Sequence, residues 1–202
     1  SGKSFSIEDI SVSSGLRIRE AFCDETDLTL GQCLSAELEV TLLNDRAQLQ
    51  GFEFGTFTAW LGAAVSGGTT GKTKTFSEYG RSVTYAFAPM GTFISTKPDM
   101  LTKKTITLTA NDQMILFDKV MPDATTLGLN YEERKEAGNP VKIADVFRAI
   151  CNYAGVQAES YTFLNSNADV LEEPEQFATS TMREVLGWIA EAACSNLRFN
   201  RE

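Results

Sequence analysis

Residues 105–119 read TITLTANDQMILFDK, and the periodicity changes halfway along. From Thr105 to Ala110 the pattern alternates: Ile106, Leu108 and Ala110 fall on one side, Thr105, Thr107 and Thr109 on the other, as in a half-buried strand. Directly after Asn111 and Asp112 the period lengthens, and Met114, Ile115 and Phe117 fall at helical spacing. The chain therefore turns from strand to short helix with no linker. Sheet is expected before this corner and helix after it.

Upstream, LSAELEVTLLN at 34–44 alternates strictly. Leu34, Ala36, Leu38, Val40 and Leu42 oppose Ser35, Glu37, Glu39 and Thr41, which marks a strand of an antiparallel sheet with one wet face. Phe5 and Ile7 alternate, then Ile10 and Val12 alternate one step out of phase, as across a β-bulge. Ser13-Ser14-Gly15 reads as a turn into a strand with Leu16 and Ile18 opposite Arg17 and Arg19, and Cys23 to Gly31 as a polar connection. Phe52, Phe54, Phe57, Ala59 and Leu61 repeat the alternation with a slip at Gly55. Slips of this kind indicate bent strands, as in a barrel or roll. Ser66 to Thr75 reads as a hairpin tip, Val83 to Phe87 as a strand, Pro89-Met90-Gly91 as a turn, Phe93 to Thr96 as a short strand, and Lys97-Pro98-Asp99 as a further turn.

Downstream, Met121 to Asn139 is irregular and polar. Asn139 suits a cap and Pro140 a first helical position. Ile143, Val146, Phe147, Ile150 and Ala154 then form a helical stripe that Gly155 stops. Tyr161 and Phe163 read as a short strand. Thr181 and Glu184 have capping-box spacing ahead of the stripe Met182, Val185, Leu186, Ile189 and Ala193. Leu197 and Phe199 read as a strand just beginning, so the sequence resembles a fragment of a longer protein. The expected class is α+β: an N-terminal antiparallel β-barrel or roll over residues 1–110, then a mixed α/β domain over 111–202 with two main helices.

Composition narrows the function classes. With 202 residues, 43% hydrophobic and 22% charged, the chain is an ordinary globular sequence. No apolar run is long enough to span a membrane, and no basic start leads into an apolar run, so neither membrane insertion nor a signal peptide is expected. The net charge of −9 opposes nucleic-acid binding, and the nearest basic cluster is Lys72, Lys74, Lys103 and Lys104. Histidine is absent, which removes Ser-His-Asp and Cys-His catalysis, histidine-ligated zinc and the usual neutral-pH proton shuttle.

Cys23, Cys33, Cys151 and Cys194 lack metal-ligand spacing. Cys23 and Cys33 are near enough in sequence to bridge, but isolated cysteines are mostly buried hydrophobes, and Cys151 and Cys194 fall on the apolar sides of the expected helices. The run Ser66 to Thr73 imitates a phosphate-binding loop but has Ser66 in place of its first glycine, and no apolar helix follows. Asp24, Glu25 and Asp27 lack the calcium-loop glycine and read as a solvated turn. Strand aromatics Phe52, Phe54, Trp60, Phe87 and Phe93 read most simply as core. No residue presents itself as catalytic, cofactor-binding or metal-binding.

The stretch Leu108-Thr109-Ala110-Asn111-Asp112-Gln113-Met114, then a capped helix over Lys142 to Ala154 with Gly155 after it, then Arg183 to Ala190 in an Arg-x-Val-Leu-x-x-Ile-Ala pattern, resembles the tail hub proteins of bacteriophages and prophages. Type VI secretion spike proteins are related to that group. Order and spacing match over roughly residues 105–200; the preceding half matches in style, through Leu30-Gly31 and the Leu34–Leu42 strand. Ala192-Ala193-Cys194-Ser195 stands where the family often has a glycine-containing turn.

The resemblance implies a virion structural protein, made in the bacterial cytoplasm and built into the tail tip or baseplate hub. It implies a homotrimer whose β-barrels form a ring continuous with the tail tube, next to distal tail, tube and tape measure proteins. DNA would cross the channel without specific binding, and the acidity would then keep it from adhering; reversing several channel-facing acids to lysine would slow ejection. The linkerless corner would hold the ring radius. Two other readings stay open. One is a carbohydrate-binding, adhesin-like β module using Trp60, Tyr79 or Tyr85. The other is a glycoside hydrolase working with carboxylates alone.

Overall fold

A computed structural model describes residues 4–13, 15–21, 29–45, 49, 55–65, 72–78, 80–95 and 104–199. Expectations on Cys23, Asp24, Glu25, Asp27, Phe52, Phe54, residues 66–71, Tyr79, the turn at 97–99 and Lys103 lie outside them. The class is α+β, with an antiparallel sheet dominating the N-terminal half and the longer helices following it. The chain forms two compact units: Ser1–Arg19, Glu37–Asp112 and Phe199–Glu202 in the first, Glu20–Ala36 and Gln113–Arg198 in the second.

The first unit holds β1 (Leu16–Arg19), β2 (Glu37–Leu43), β3 (Thr56–Ala64), β4 (Lys72–Glu78), β5 (Arg81–Ser95) and β6 (Thr105–Asp112). The order is β1-β2-β6-β5-β3, with β4 pairing β5. Register places Leu38 opposite Ala110, Val40 opposite Leu108 and Leu42 opposite Ile106, and all of these are buried. A slip of one residue would turn this whole set outward, so the alternation fixes the register. Thr41 and Thr107, paired in register, share a hydroxyl hydrogen bond of 3.1 Å.

Three expectations for this unit are corrected. Residues 5–12 do not form a bulged strand: Ile7–Asp9 is a 3₁₀ turn, and Ile10 makes an isolated bridge to Leu42. The Asp9 carboxylate accepts from Ser6 N at 2.7 Å and Ser6 Oγ at 3.1 Å, a local bonding pattern that competes with a ladder. Pro89-Met90-Gly91 does not turn the chain; it lies inside the 15-residue β5. There Ala59 faces Gly91 while Trp60 faces Pro89, so Met90 is the extra residue of a bulge. Proline gives up its ladder donor at such a site, and Gly91, at φ 116°, supplies the backbone twist. Lys72–Thr75 belong to strand β4, not to a hairpin tip. Glu78 pairs with Arg81 in the last register position of β4, and Gly80, just before β5, has φ 74°.

In the second unit Gln113–Phe117 is a 3₁₀ helix that starts where β6 ends. Met114 and Phe117 are buried in it, and their separation suits its three-residue turn. The region read as irregular contains α1 (Tyr131–Glu136), whose single buried side chain, Tyr131, leaves no stripe for the sequence to display. α2 (Ile143–Ala154) starts later than expected, because Val141–Lys142 forms β7, paired with β8 (Asp169–Val170). Neither Asn139 nor Pro140 caps it; the Asp145 carboxylate accepts from Lys142 N at 3.1 Å instead. Ala144, Val146, Phe147, Ile150 and Cys151 form its buried face, and Gly155 ends it at φ 72°.

Tyr161 and Phe163 form no strand; both rings pack edge-on against Phe147, with centroids 5.7 and 5.6 Å away. α3 (Met182–Ala192) follows a 3₁₀ turn at Glu175–Thr179 and carries the expected capping box: Glu184 N donates to Thr181 Oγ1 at 3.2 Å, and Thr181 N donates to the Glu184 carboxylate at 2.6 Å. Cys194 is exposed, at φ 50°, in the turn that leaves α3. Leu197 starts no strand, although its N–H donates to the Gln32 carbonyl at 3.0 Å.

Candidate functional site

Among the described residues no three histidine, cysteine or acidic side chains are placed to hold a metal ion, and no helix is long and apolar enough to cross a membrane. Cys33 and Cys151 are buried thiols whose pKa values burial pushes up to about 11, for Cys33 against the pull of Arg183. At neutral pH both are protonated and poorly nucleophilic. Surface recognition needs neither a bound metal nor a thiolate. Three features of the structure bear on it.

The first is the corner and its brace. Arg183, which opens the motif on α3, pairs with Asp118: Nη2 donates to Oδ2 at 2.9 Å, while Nε lies 2.5 Å from Oδ1 without hydrogen-bond geometry. Its Nη1 donates to the Cys33 carbonyl at 3.4 Å. The planar guanidinium thus joins three stretches far apart in sequence, a geometry lysine cannot reproduce. Beside it, Gly31 N donates to the Ser195 carbonyl at 3.0 Å, and Gln32 N to Asn196 Oδ1 at 3.1 Å. Gly187 lets this segment lie directly on α3: a Cβ there would come 2.7 Å from the Gly31 carbonyl oxygen.

The second feature is a half-buried aromatic face in the first unit, of which Trp60 is the exposed member. Cross-strand register puts Gly62 and Lys72 on either side of Phe87, and Ala64 and Lys74 on either side of Tyr85. Trp60, Phe87, Tyr85 and Phe76 therefore share one face, with Phe76 contacting both Tyr85 and Phe87. Lys72 Nζ lies 4.2 Å over the Trp60 ring, a cation–π arrangement. Trp60 is 38% exposed and Leu61, on the opposite face, 59%. Of the aromatics read as core, Phe93 is fully buried and stacks on Phe57, whereas Trp60 and Phe87 belong to this face.

The third is an apolar groove in the second unit, a cavity of about 390 Å³. Ile143 and Val146 of α2 form one wall, Val185 and Ile189 of α3 the other, and Phe177 and Trp188 stack across one end with centroids 6.1 Å apart. Gln176 is the polar side chain in its lining. In the sequence, Trp188 falls off the buried stripe of α3, which is the one local sign of this groove; Pro174 and Phe177 sit in a segment without periodicity.

The α2 end of this unit is held by charge. Asp145 accepts from Arg134 Nη2 at 2.7 Å and lies 3.4 Å from Arg148 Nη1, while Lys142 pairs with Asp169. Burial acts to raise the Asp145 pKa, but the Lys142 N–H and the Arg134 guanidinium outweigh it and hold the carboxyl below its usual range. A carboxyl whose folded pKa is depressed adds stability that is complete above its unfolded value, about 3.9, and lost as pH falls through the folded one. Asp145→Asn is therefore expected to cost about 1–2 kcal/mol near neutral pH. In urea titrations at several pH values the gap from wild type should begin to narrow near pH ~4 and close only as pH falls through the lower folded value.

No family model matches the chain, and no curated protein and no solved structure matches it.

Proposed function

We propose that this chain is a structural domain of a bacteriophage or prophage tail hub, assembling in copies around the tail axis, with no catalysis in this segment. The observation that carries the reading is the corner: β6 ends at Asp112, the 3₁₀ helix starts at Gln113, and Met114 and Phe117 are buried directly beyond it. The capped helix α2 and the Arg183-led α3 follow in the order that the tail hub pattern requires. Among the described residues β1, β3 and β4 are edge strands, and edge strands suit pairing with neighbouring copies. In this reading the partners are the chain itself and the distal tail, tube and tape measure proteins, and DNA passes without being bound.

Antibodies raised against the chain, used for gold labelling of phage particles induced from the source strain, test it directly. Label at one end of the tails is expected. Label on the cell surface, or none on particles, would overturn the reading.

A second reading, a carbohydrate-binding β module, is favoured by Trp60, Phe87 and Tyr85 sharing one face, with Trp60 exposed. Quenching of tryptophan fluorescence by cell-wall oligosaccharides, lost in Trp60→Ala, would support that reading over the first.

A further inference from the structure

Charge divides the two surfaces sharply. From Gly55 to Ser95, the stretch that forms β3, β4 and β5, the basic residues are Lys72, Lys74 and Arg81 and the single acid is Glu78. From Ile143 to Ala192, the stretch that supplies the groove, the acids are Asp145, Glu159, Asp169, Glu172, Glu173, Glu175, Glu184 and Glu191, and the bases are Arg148, which lies 3.4 Å from Asp145, and Arg183. Arg183 is held by Asp118, Asp169 by Lys142, and Glu184 by its cap. Glu172, Glu173, Glu175 and Glu191 remain exposed, adjacent in sequence to the groove residues Pro174, Gln176 and Ala192, and without a cationic partner among the described residues.

We propose that the apolar groove between α2 and α3 of one copy receives the aromatic, lysine-bearing face of the β3–β5–β4 ribbon of a second copy. An apolar cavity with acids around it fits an apolar anchor flanked by cations. The ribbon presents Trp60 with Lys72 over its ring and Lys74 next along the strand. A polar metabolite would find little in the lining to orient it, and a phosphate backbone or an anionic lipid surface would be repelled. The two surfaces are different patches, so the contact is head-to-tail and propagates from copy to copy, closing into a ring when the rotation permits. This deepens the hub reading and rests on it for closure around an axis.

The test uses the full chain. One variant carries Lys72→Glu, Lys74→Glu and Arg81→Glu; another carries Glu172→Lys, Glu173→Lys and Glu175→Lys; a third carries all the exchanges together. Mass is followed by sedimentation against protein and salt concentration, and thermal unfolding checks that each variant folds. Wild type is expected to self-associate, more weakly as salt rises. Each single set should raise the dissociation constant about 100-fold, and the combined exchange should restore association.

Four results would overturn the proposal: a wild type that stays monomeric at every concentration, single sets that associate like wild type, a combined variant that stays apart, or loss of association from the groove set alone. The first would assign the groove to a different protein and the last to another part of this chain. A tail-tip label together with unaffected association would leave the hub reading standing and this interface refuted.

Discussion

Met114→Ala should lower the unfolding free energy of the second unit by about 2–5 kcal/mol, the cost of emptying a fully buried site. Met114 is 0% exposed and is the first apolar residue after the corner. Its neighbour Ile115 is only half-buried, because a 3₁₀ turn brings residues i and i+3 to one side, and that pair is Met114 and Phe117. Ile115→Ala is accordingly expected to cost less than half as much. Equal losses at the two positions, measured by urea denaturation, would mean that the short helix does not present this face. Because the chain has two units, the transition should be followed by more than one probe and not assumed to be two-state.

Gly187→Ala carries a prediction whose sign is informative. In an open helix interior the change would stabilise by roughly 0.5–1 kcal/mol, since alanine is the better helix former. Here the added methyl would stand 2.7 Å from the Gly31 carbonyl oxygen, and Gly31 cannot retreat by taking a side chain of its own, because its Cβ would meet the Gly187 carbonyl oxygen at 2.9 Å. Gly31 also adopts φ 81°, a left-handed conformation that favours glycine. The segment must lift off α3 and strain the bonds from Gly31 N to Ser195 O and from Leu197 N to Gln32 O. A loss of about 2–3 kcal/mol is expected. A rise in melting temperature would mean that the 29–33 segment does not lie on α3.

The strands and helices that were legible in the amino-acid order are those with a long, one-sided pattern. β2 and β6 alternate over enough residues that only one register buries Leu38, Val40, Leu42, Ile106 and Leu108 together. α3 announces itself through Thr181 and Glu184, because a capping box is a local arrangement completed within one turn. The corner is legible for the same reason, since the change of period falls within a few consecutive residues.

The elements that escaped have short or ambiguous local signals. α1 buries only Tyr131, and β7 and β8 have two residues each, so neither shows a period. Pro89-Met90-Gly91 has turn composition, yet β3 and β4 pair along β5 and draw the same residues into a bulge. The two surfaces proposed for recognition were equally hidden. Trp60 and Phe87 have the composition of core, and the exposure of Trp60 and the half-burial of Phe87 follow from the pairing of β3, β5 and β4, which puts them together on one face.

Local order in the chain was enough to specify the class and the corner at Asp112–Gln113, because each depends on neighbours within a turn or a strand, and composition alone removed histidine chemistry. The groove, the seating of residues 29–33 on α3 and the reach of Arg183 to Cys33 and Asp118 join positions as much as 164 residues apart. Such contacts exist only once backbone pairing and burial have brought those positions together, and no local pattern encodes them.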